Sequence, residues 1–304
     1  MPRRLLPCVC GLLAAASAFA ADAPPTFETA YPGLLSGVLA HATLGELPDG
    51  VVLRSGTIEV AKAKIDDLVA NAPKDVREGI RKCTLLMLEE LVTERILLVA
   101  ARQAAAKAGR DVAGKTDGRI IRDYLLAALG EAKVTDAEIA DFYGQNKSMF
   151  EGSSLDKVKD SLRQYLLDEK WRAAVAEHIR GIGKSVPIVV SAAWAKGEAA
   201  LARDNPVDQA RTSGLPSLVD FGATGCRPCD MLAPILKTLT KKFRGKLNVL
   251  FIHVGKEKAL ASRYGISSIP VQVFFDKDGR EVFRHVGFFA QDAIERKLAE
   301  MGVQ

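Results

Sequence analysis

Apolar residues follow two regimes along this chain. Between residues 58 and 182 they recur at intervals of three and four, the period of a helix with one buried face. The examples are Ile65, Leu68 and Val69, then Leu85, Leu88, Leu91, Val92, Ile96 and Val99 within 83–108, then Val158, Leu162, Leu166, Val175 and Ile179 within 155–182. Beyond residue 205 the period changes. Residues 218–221, 249–254, 271–275 and 282–286 are short runs rich in β-branched and aromatic residues, and they read as strands. Between the first two, Met231, Leu232, Ile235, Leu236 and Leu239 return to helical spacing, and a last helix is predicted to about Met301. The pattern predicts two domains, an all-α module followed by an α/β one.

Local signals place the boundaries. Thr135 and Glu138 form a capping box, with Val134 and Ile139 as its hydrophobic staple, so a helix starts there. Asn205 before Pro206 is an N-cap followed by proline at the first helical position. Residues 21–48, with Pro24, Pro25, Pro32, Gly33 and Gly37, read as a loose leader. The expected order is a segment at 1–20 treated below, the leader at 21–48, a helical domain at 49–190, a connecting helix at 191–204 and the α/β domain at 205–304.

The candidate chemistry lies between the strand at 218–221 and the helix after it, in Cys226-Arg227-Pro228-Cys229. A thiol at a helix N-terminus meets unpaired N–H groups whose partial positive charge favours thiolate. Cys226 is therefore the candidate nucleophile, Arg227 adds positive charge beside it, and Cys229, one turn in, is placed to resolve a mixed disulfide. Half of a zinc site is the competing reading of two such cysteines. It needs two further ligands, and Cys83, His41, His178, His253 and His285 show no metal-ligand spacing. Asp220 lies inside an apolar run, where an unpaired carboxylate is costly.

Residues 205–304 resemble thioredoxin in the order of these elements and in the segment Arg263-Tyr264-Gly265-Ile266-Ser267-Ser268-Ile269-Pro270. The resemblance implies a thioredoxin fold, a central mixed sheet flanked by helices. It also implies that Pro270 is cis and presents backbone to an extended substrate, that Asp220 moves protons for Cys229, and that Pro234 kinks the active-site helix. Ile269 before the proline then leans toward the reducing branch and, with Arg227, toward substrate contact. No cofactor is implied beyond the redox-active pair Cys226–Cys229. The chain departs from the family at Gly222 and Gly225, where thioredoxins usually carry tryptophans. The departure predicts a more open sulfur lacking one flat contact surface. His253 and His285 are expected to pack or face solvent, and Cys83 to be a small core residue.

The helical half resembles the N-terminal domain of SurA-type chaperones and parvulin-type prolyl isomerases, through residues 52–110 and through Lys133-Val134-Thr135-Asp136-Ala137-Glu138-Ile139 and its continuation to Phe150. In those families an isomerase domain follows; here only Glu151-Gly152-Ser153-Ser154 intervenes before the return helix, so prolyl isomerase activity is not expected. The resemblance implies a cradle for unfolded polypeptide, against which stands the plain alternative that these helices pack on each other or form a dimer.

Compartment and partners follow from the rest. Residues 1–20 combine Arg3 and Arg4, an apolar stretch at 5–19 and Ala18-Phe19-Ala20 before Ala21, the composition of a secretory signal peptide. Cys8 and Cys10 would leave with it, and its two arginines would take the formal charge from +5 to +3. That mild charge, without a basic stripe carrying aromatics, gives no support to nucleic-acid binding. The expectation is a periplasmic thiol–disulfide oxidoreductase that reduces disulfides in unfolded or disulfide-bonded exported proteins, with a transmembrane thiol reductase as electron donor. The alternatives are a SurA-like holdase with a secondary redox domain, or a disulfide oxidase or isomerase.

Overall fold

The computed structural model describes residues 24–74, 76–150 and 152–304. The expected signal segment lies outside the described residues. The N-terminal part runs α1 (Phe27–Ala30), β1 (Thr43–Gly45), β2 (Val51–Ser55), β3 (Ile58–Ala61), α2 (Lys62–Ala70), α3 (Arg77–Arg81), α4 (Thr84–Lys107), α5 (Asp117–Leu129), α6 (Asp136–Gln145), α7 (Leu155–Ser185), β4 (Val189–Ser191) and α8 (Ala192–Arg203). The C-terminal part runs α9 (Pro206–Arg211), β5 (Ser217–Gly222), α10 (Arg227–Lys242), β6 (Asn248–His253), α11 (Lys258–Arg263), β7 (Val271–Phe275), β8 (Glu281–Val286) and α12 (Gln291–Glu300).

The N-terminal part is helical but not all-α. Its strands form a four-stranded sheet in the order β1-β4-β2-β3, with β1 parallel to β4 and the other pairs antiparallel. The cause is local: Gly56, at φ 54°, opens a two-residue turn that pairs Ser55 with Ile58 and folds β2 onto β3. The leader is also better packed than its prolines and glycines suggest. Phe27, Leu34, Leu35, Val38 and Leu39 are buried in one core with Leu85, Leu88, Val92 and Ile96 of α4. Glu89 pins them there, accepting from the Gly37 N–H at 2.9 Å and the Leu39 N–H at 3.2 Å. Burial pushes the Glu89 carboxyl up to about 7 against the pull of those backbone bonds.

The long helices sit where the periodicity puts them. The capping box at α6 is complete: Glu138 N–H donates to Thr135 Oγ1 at 3.3 Å and Thr135 N–H to Glu138 Oε2 at 2.9 Å. The C-terminal end of α7 is anchored in the N-terminal core by Ile179 and Ile182. At Gly183 it lies so close to Val38 that a Cβ there would stand 2.6 Å from the Val38 carbonyl oxygen. Its N-terminal half is bound to α6 by Lys159 and Arg163 on Asp136, each at 2.8 Å, and by Lys170 on Glu138 at 2.6 Å.

In the C-terminal part the sheet order is β6-β5-β7-β8, with β5 parallel to β6 and the remaining pairs antiparallel. Every residue of β5 is buried. Its alternation divides the core in two. Leu218 packs with Leu232, Leu236 and Leu239 of α10 and with Ile294 and Leu298 of α12, whereas Val219 and Phe221 pack with Val207, Leu260 and Tyr264 on the opposite face.

Polar contacts join the two parts. Lys82 Nζ donates to Asp204 at 2.7 Å, and Arg263 donates to the carbonyls of Gly33 at 3.2 Å and Ala202 at 3.3 Å. Arg263 is fixed in turn by Asp208, whose side chain is 7% exposed and which also receives Arg211. Removing one member of such a buried cluster leaves charge without a partner. Asp208→Ala is expected to lower stability by about 3–5 kcal/mol in urea unfolding, whereas Arg296→Ala, which breaks an exposed pair with Asp292, changes it by less than about 1 kcal/mol.

Candidate active site

Strand β5 ends at Gly222, a short loop follows, and α10 begins one residue after Cys226. Cys226 is the N-cap of this helix and is joined to Cys229 by a disulfide, with Cα atoms 5.2 Å apart. The two sulfurs are unequally placed. Cys226 is half-buried and reachable, Cys229 is 4% exposed, and Arg227 stands exposed at the first position of the helix. Pro234 lies within α10, as the resemblance implies.

Register brings the other expected residues to the same end of the sheet. Phe221 pairs with Val271 across β5 and β7, so Pro270 lies beside Gly222, four residues before Cys226. The Ile269–Pro270 peptide is cis, Ile269 is half-buried, and the Pro270 carbonyl accepts from Gly287 N–H at 2.8 Å. Asp220 points to the α10 face, as Leu218 and Gly222 do, and is 0% exposed. A Cβ on Gly222 would lie 3.3 Å from Cys229 Sγ, and Asp220 is the next residue on that face, one side-chain repeat back along β5.

Three further residues belong to this site. Gln272 stands opposite Asp220 across β5 and β7, is fully buried, and donates from Nε2 to Asp220 Oδ1 at 2.8 Å. Its signal was legible, since it is the polar member of an otherwise apolar strand. Burial pushes the Asp220 carboxyl up to about 6, and the Gln272 bond works against that rise. Phe251 crosses from the neighbouring strand β6 and, though 50% exposed, lies over Gly222: its Cε2 would stand 2.8 Å from a Cβ there. The ring arrives from another strand and fills the space over Gly222 beside Cys229, which nothing in one strand's sequence announces, while the space around Gly225, next to Cys226, stays open. His253, at the end of β6, has Nε2 3.2 Å from the Thr224 hydroxyl and accepts from Gly255 N–H at Nδ1, 3.2 Å away, tying the active-site loop to its neighbour.

The remaining candidates lie elsewhere. His285 stacks on Phe289 with ring centroids 4.2 Å apart, a packing role. Cys83 caps α4, half-buried rather than in the core, its thiol donating to the Gly79 carbonyl at 3.0 Å and pushed up by burial to about 11. A thiol held so far above neutrality is a poor nucleophile. No cluster of potential metal ligands occurs among the described residues.

Comparison with known proteins bears on the same segment. The thioredoxin family model matches residues 202–300. Thioredoxin of Staphylococcus aureus strain Mu50 is 41% identical over 95 residues, which are 31% of this chain and 89% of that protein, and thioredoxin of strain N315 matches with the same figures. Among solved structures, a mutant thioredoxin from Halobacterium salinarum NRC-1 matches at 33% identity over 32% of this chain and 83% of that one, with a TM-score of 0.30.

Because the Asp220 carboxyl titrates near 6 when folded and near 3.9 when unfolded, the folded state holds a proton that the unfolded chain has lost. The stability tied to that proton is present below about pH 4 and is lost as pH rises through about 6. Asp220→Asn is therefore expected to be more stable than the parent by about 2–3 kcal/mol at pH 8, with the gain vanishing below about pH 4 in denaturant titrations.

Proposed function

The chain belongs to the thioredoxin family through residues 202–300, and on that premise we propose that it reduces disulfides in exported proteins by dithiol exchange at Cys226 and Cys229. One observation carries the reading: a reachable sulfur at a helix N-cap with its partner buried behind it and a buried carboxyl in the strand that leads to them. In the reduced protein the Cys226 thiolate attacks one sulfur of a substrate disulfide. A mixed disulfide forms, and the first substrate sulfur departs as thiolate and takes a proton from water. Asp220, ionised above about pH 6, accepts the proton of the Cys229 thiol. Cys229 then attacks Cys226 Sγ, which closes the internal disulfide and releases the second substrate sulfur. Two electrons have passed to the substrate, and an external dithiol must restore them.

Arg227 adds positive charge at the mouth of the site, favouring the Cys226 thiolate, and Ile269 offers an apolar contact before the cis proline. The compartment in this reading is the periplasm, from the basic, apolar and small-residue segments of 1–20, and the electron source is a transmembrane thiol reductase. The N-terminal part, by its likeness to SurA-type domains, holds unfolded substrate and raises its effective concentration at the sulfur. Deleting residues 24–190 is then expected to slow reduction of unfolded proteins while sparing small disulfides, and equal rates on both would remove the holding role.

The direction of transfer is tested by equilibrating the Cys226–Cys229 pair against defined thiol buffers. A potential near about −270 mV supports a reductant, whereas one near about −120 mV would make the protein a disulfide donor. A Cys229→Ser variant is expected to accumulate mixed disulfides through Cys226, and Cys226→Ser to accumulate none.

A further inference from the structure

The helix α7 is built like an arm. At about 1.5 Å per residue its 31 residues span roughly 46 Å. One end is seated in the N-terminal core at Gly183, and the other is braced against α6. Midway along, it meets the C-terminal part at the loop leading into the cis proline. Tyr165 Oη lies 3.3 Å from Ser268 Oγ, and Ser267 Oγ donates to Glu169 Oε1 at 3.1 Å. Tyr165 and Glu169 are one turn apart, so they share a face. The Tyr165 ring is held by Phe142 of α6, with centroids 5.4 Å apart, and Glu169 is held by Arg172.

This contact falls one and two residues before Ile269, where an extended substrate would meet the cis proline. The contacting atoms are the Tyr165 hydroxyl and the Glu169 carboxylate on one side and two serine hydroxyls on the other, so this is a polar touch between the two parts. A side chain supported from behind and placed at the rim of a reactive site limits what can enter. We propose that the Tyr165–Glu169 face of α7 is the outer wall of the substrate cleft, so that an extended, disulfide-bearing segment lies between this wall and Cys226. The inference rests on the reductase reading above and adds to it the specificity-determining residues Tyr165 and Glu169. A small disulfide can reach Cys226 without touching α7; a polypeptide laid along the cis-proline loop cannot.

The test uses the full chain with dithiothreitol supplying electrons, its uncatalysed rate subtracted, and two substrates: bis(2-hydroxyethyl) disulfide, and a short unstructured peptide closed by one disulfide. Tyr165→Ala and Glu169→Ala are each expected to raise the KM for the peptide, roughly three- to tenfold for the first, while its kcat and the rate on the small disulfide stay within about twofold. Glu169→Ala removes a side chain that is 31% exposed, so it carries the test if Tyr165→Ala does not fold. An unchanged peptide KM in both variants, or a parallel loss on the small disulfide, would overturn the wall. Inactivity of the parent protein on both substrates would instead overturn the reductase reading, and the wall with it.

Discussion

In a strand buried along its whole length any polar group is costly, and β5 is such a strand. Its six residues are covered by α10 and α12 on one face and by α9 and α11 on the other, so the layers of the C-terminal part are arranged about it. Asp220 is the one ionisable exception within it, and that exception organises its surroundings. Its carboxyl requires a donor from the next strand, and Gln272 supplies one. The strand ends at buried Gly222 and a four-residue loop leads into α10, which brings both sulfurs to the carboxyl end of β5. Open α/β sheets commonly bind their ligands at this edge.

The N-terminal part obeys a different constraint. Its core draws together the leader, the small sheet and α4, and it closes on Glu89, whose buried carboxylate holds two backbone N–H groups. The two parts meet through polar side chains, Lys82 on Asp204 and Arg263, itself held by Asp208, on the carbonyls of Gly33 and Ala202. Joints of this kind position bodies without fusing them, because hydrogen-bonded charges define geometry more sharply than they add stability. The arm α7 then crosses from one body to touch the other at two serines.

Much of this was legible in the residues, for reasons that differ by place. The strand and helix around Cys226 could be read because period and capping agree there, and the box at Thr135 and Glu138 was visible because its donors and acceptors are local. The small sheet was missed because β2 and β3 are short and partly charged, with Arg54 and Glu59 paired across the hairpin at 2.6 Å, so their alternation was lost beside the helical run that follows. The leader was missed because Phe27, Leu34 and Leu39 follow no period; tertiary contact with α4 buries them. At the site, Asp220 stood out as a charge in an apolar run, whereas Phe251 and Tyr165 act across strands and between bodies, at sequence separations where no pattern reaches.

Gly222 and Phe251 carry a consequence for how such a site can change over generations. The ring occupies the space that any side chain at 222 would need. An aromatic brought back to 222 while Phe251 remains would crowd the half-exposed ring and the sulfur of Cys229 together. Loss of Phe251 while 222 stays glycine would leave a bare slot beside the buried thiol. The two positions are therefore epistatic: neither single step reaches a well-packed relative, and the easier route passes through a sequence with glycine at 222 and a small residue at 251. Lineages carrying this arrangement are expected to keep or exchange the two residues as a pair, a signature that can be sought among relatives before any protein is purified.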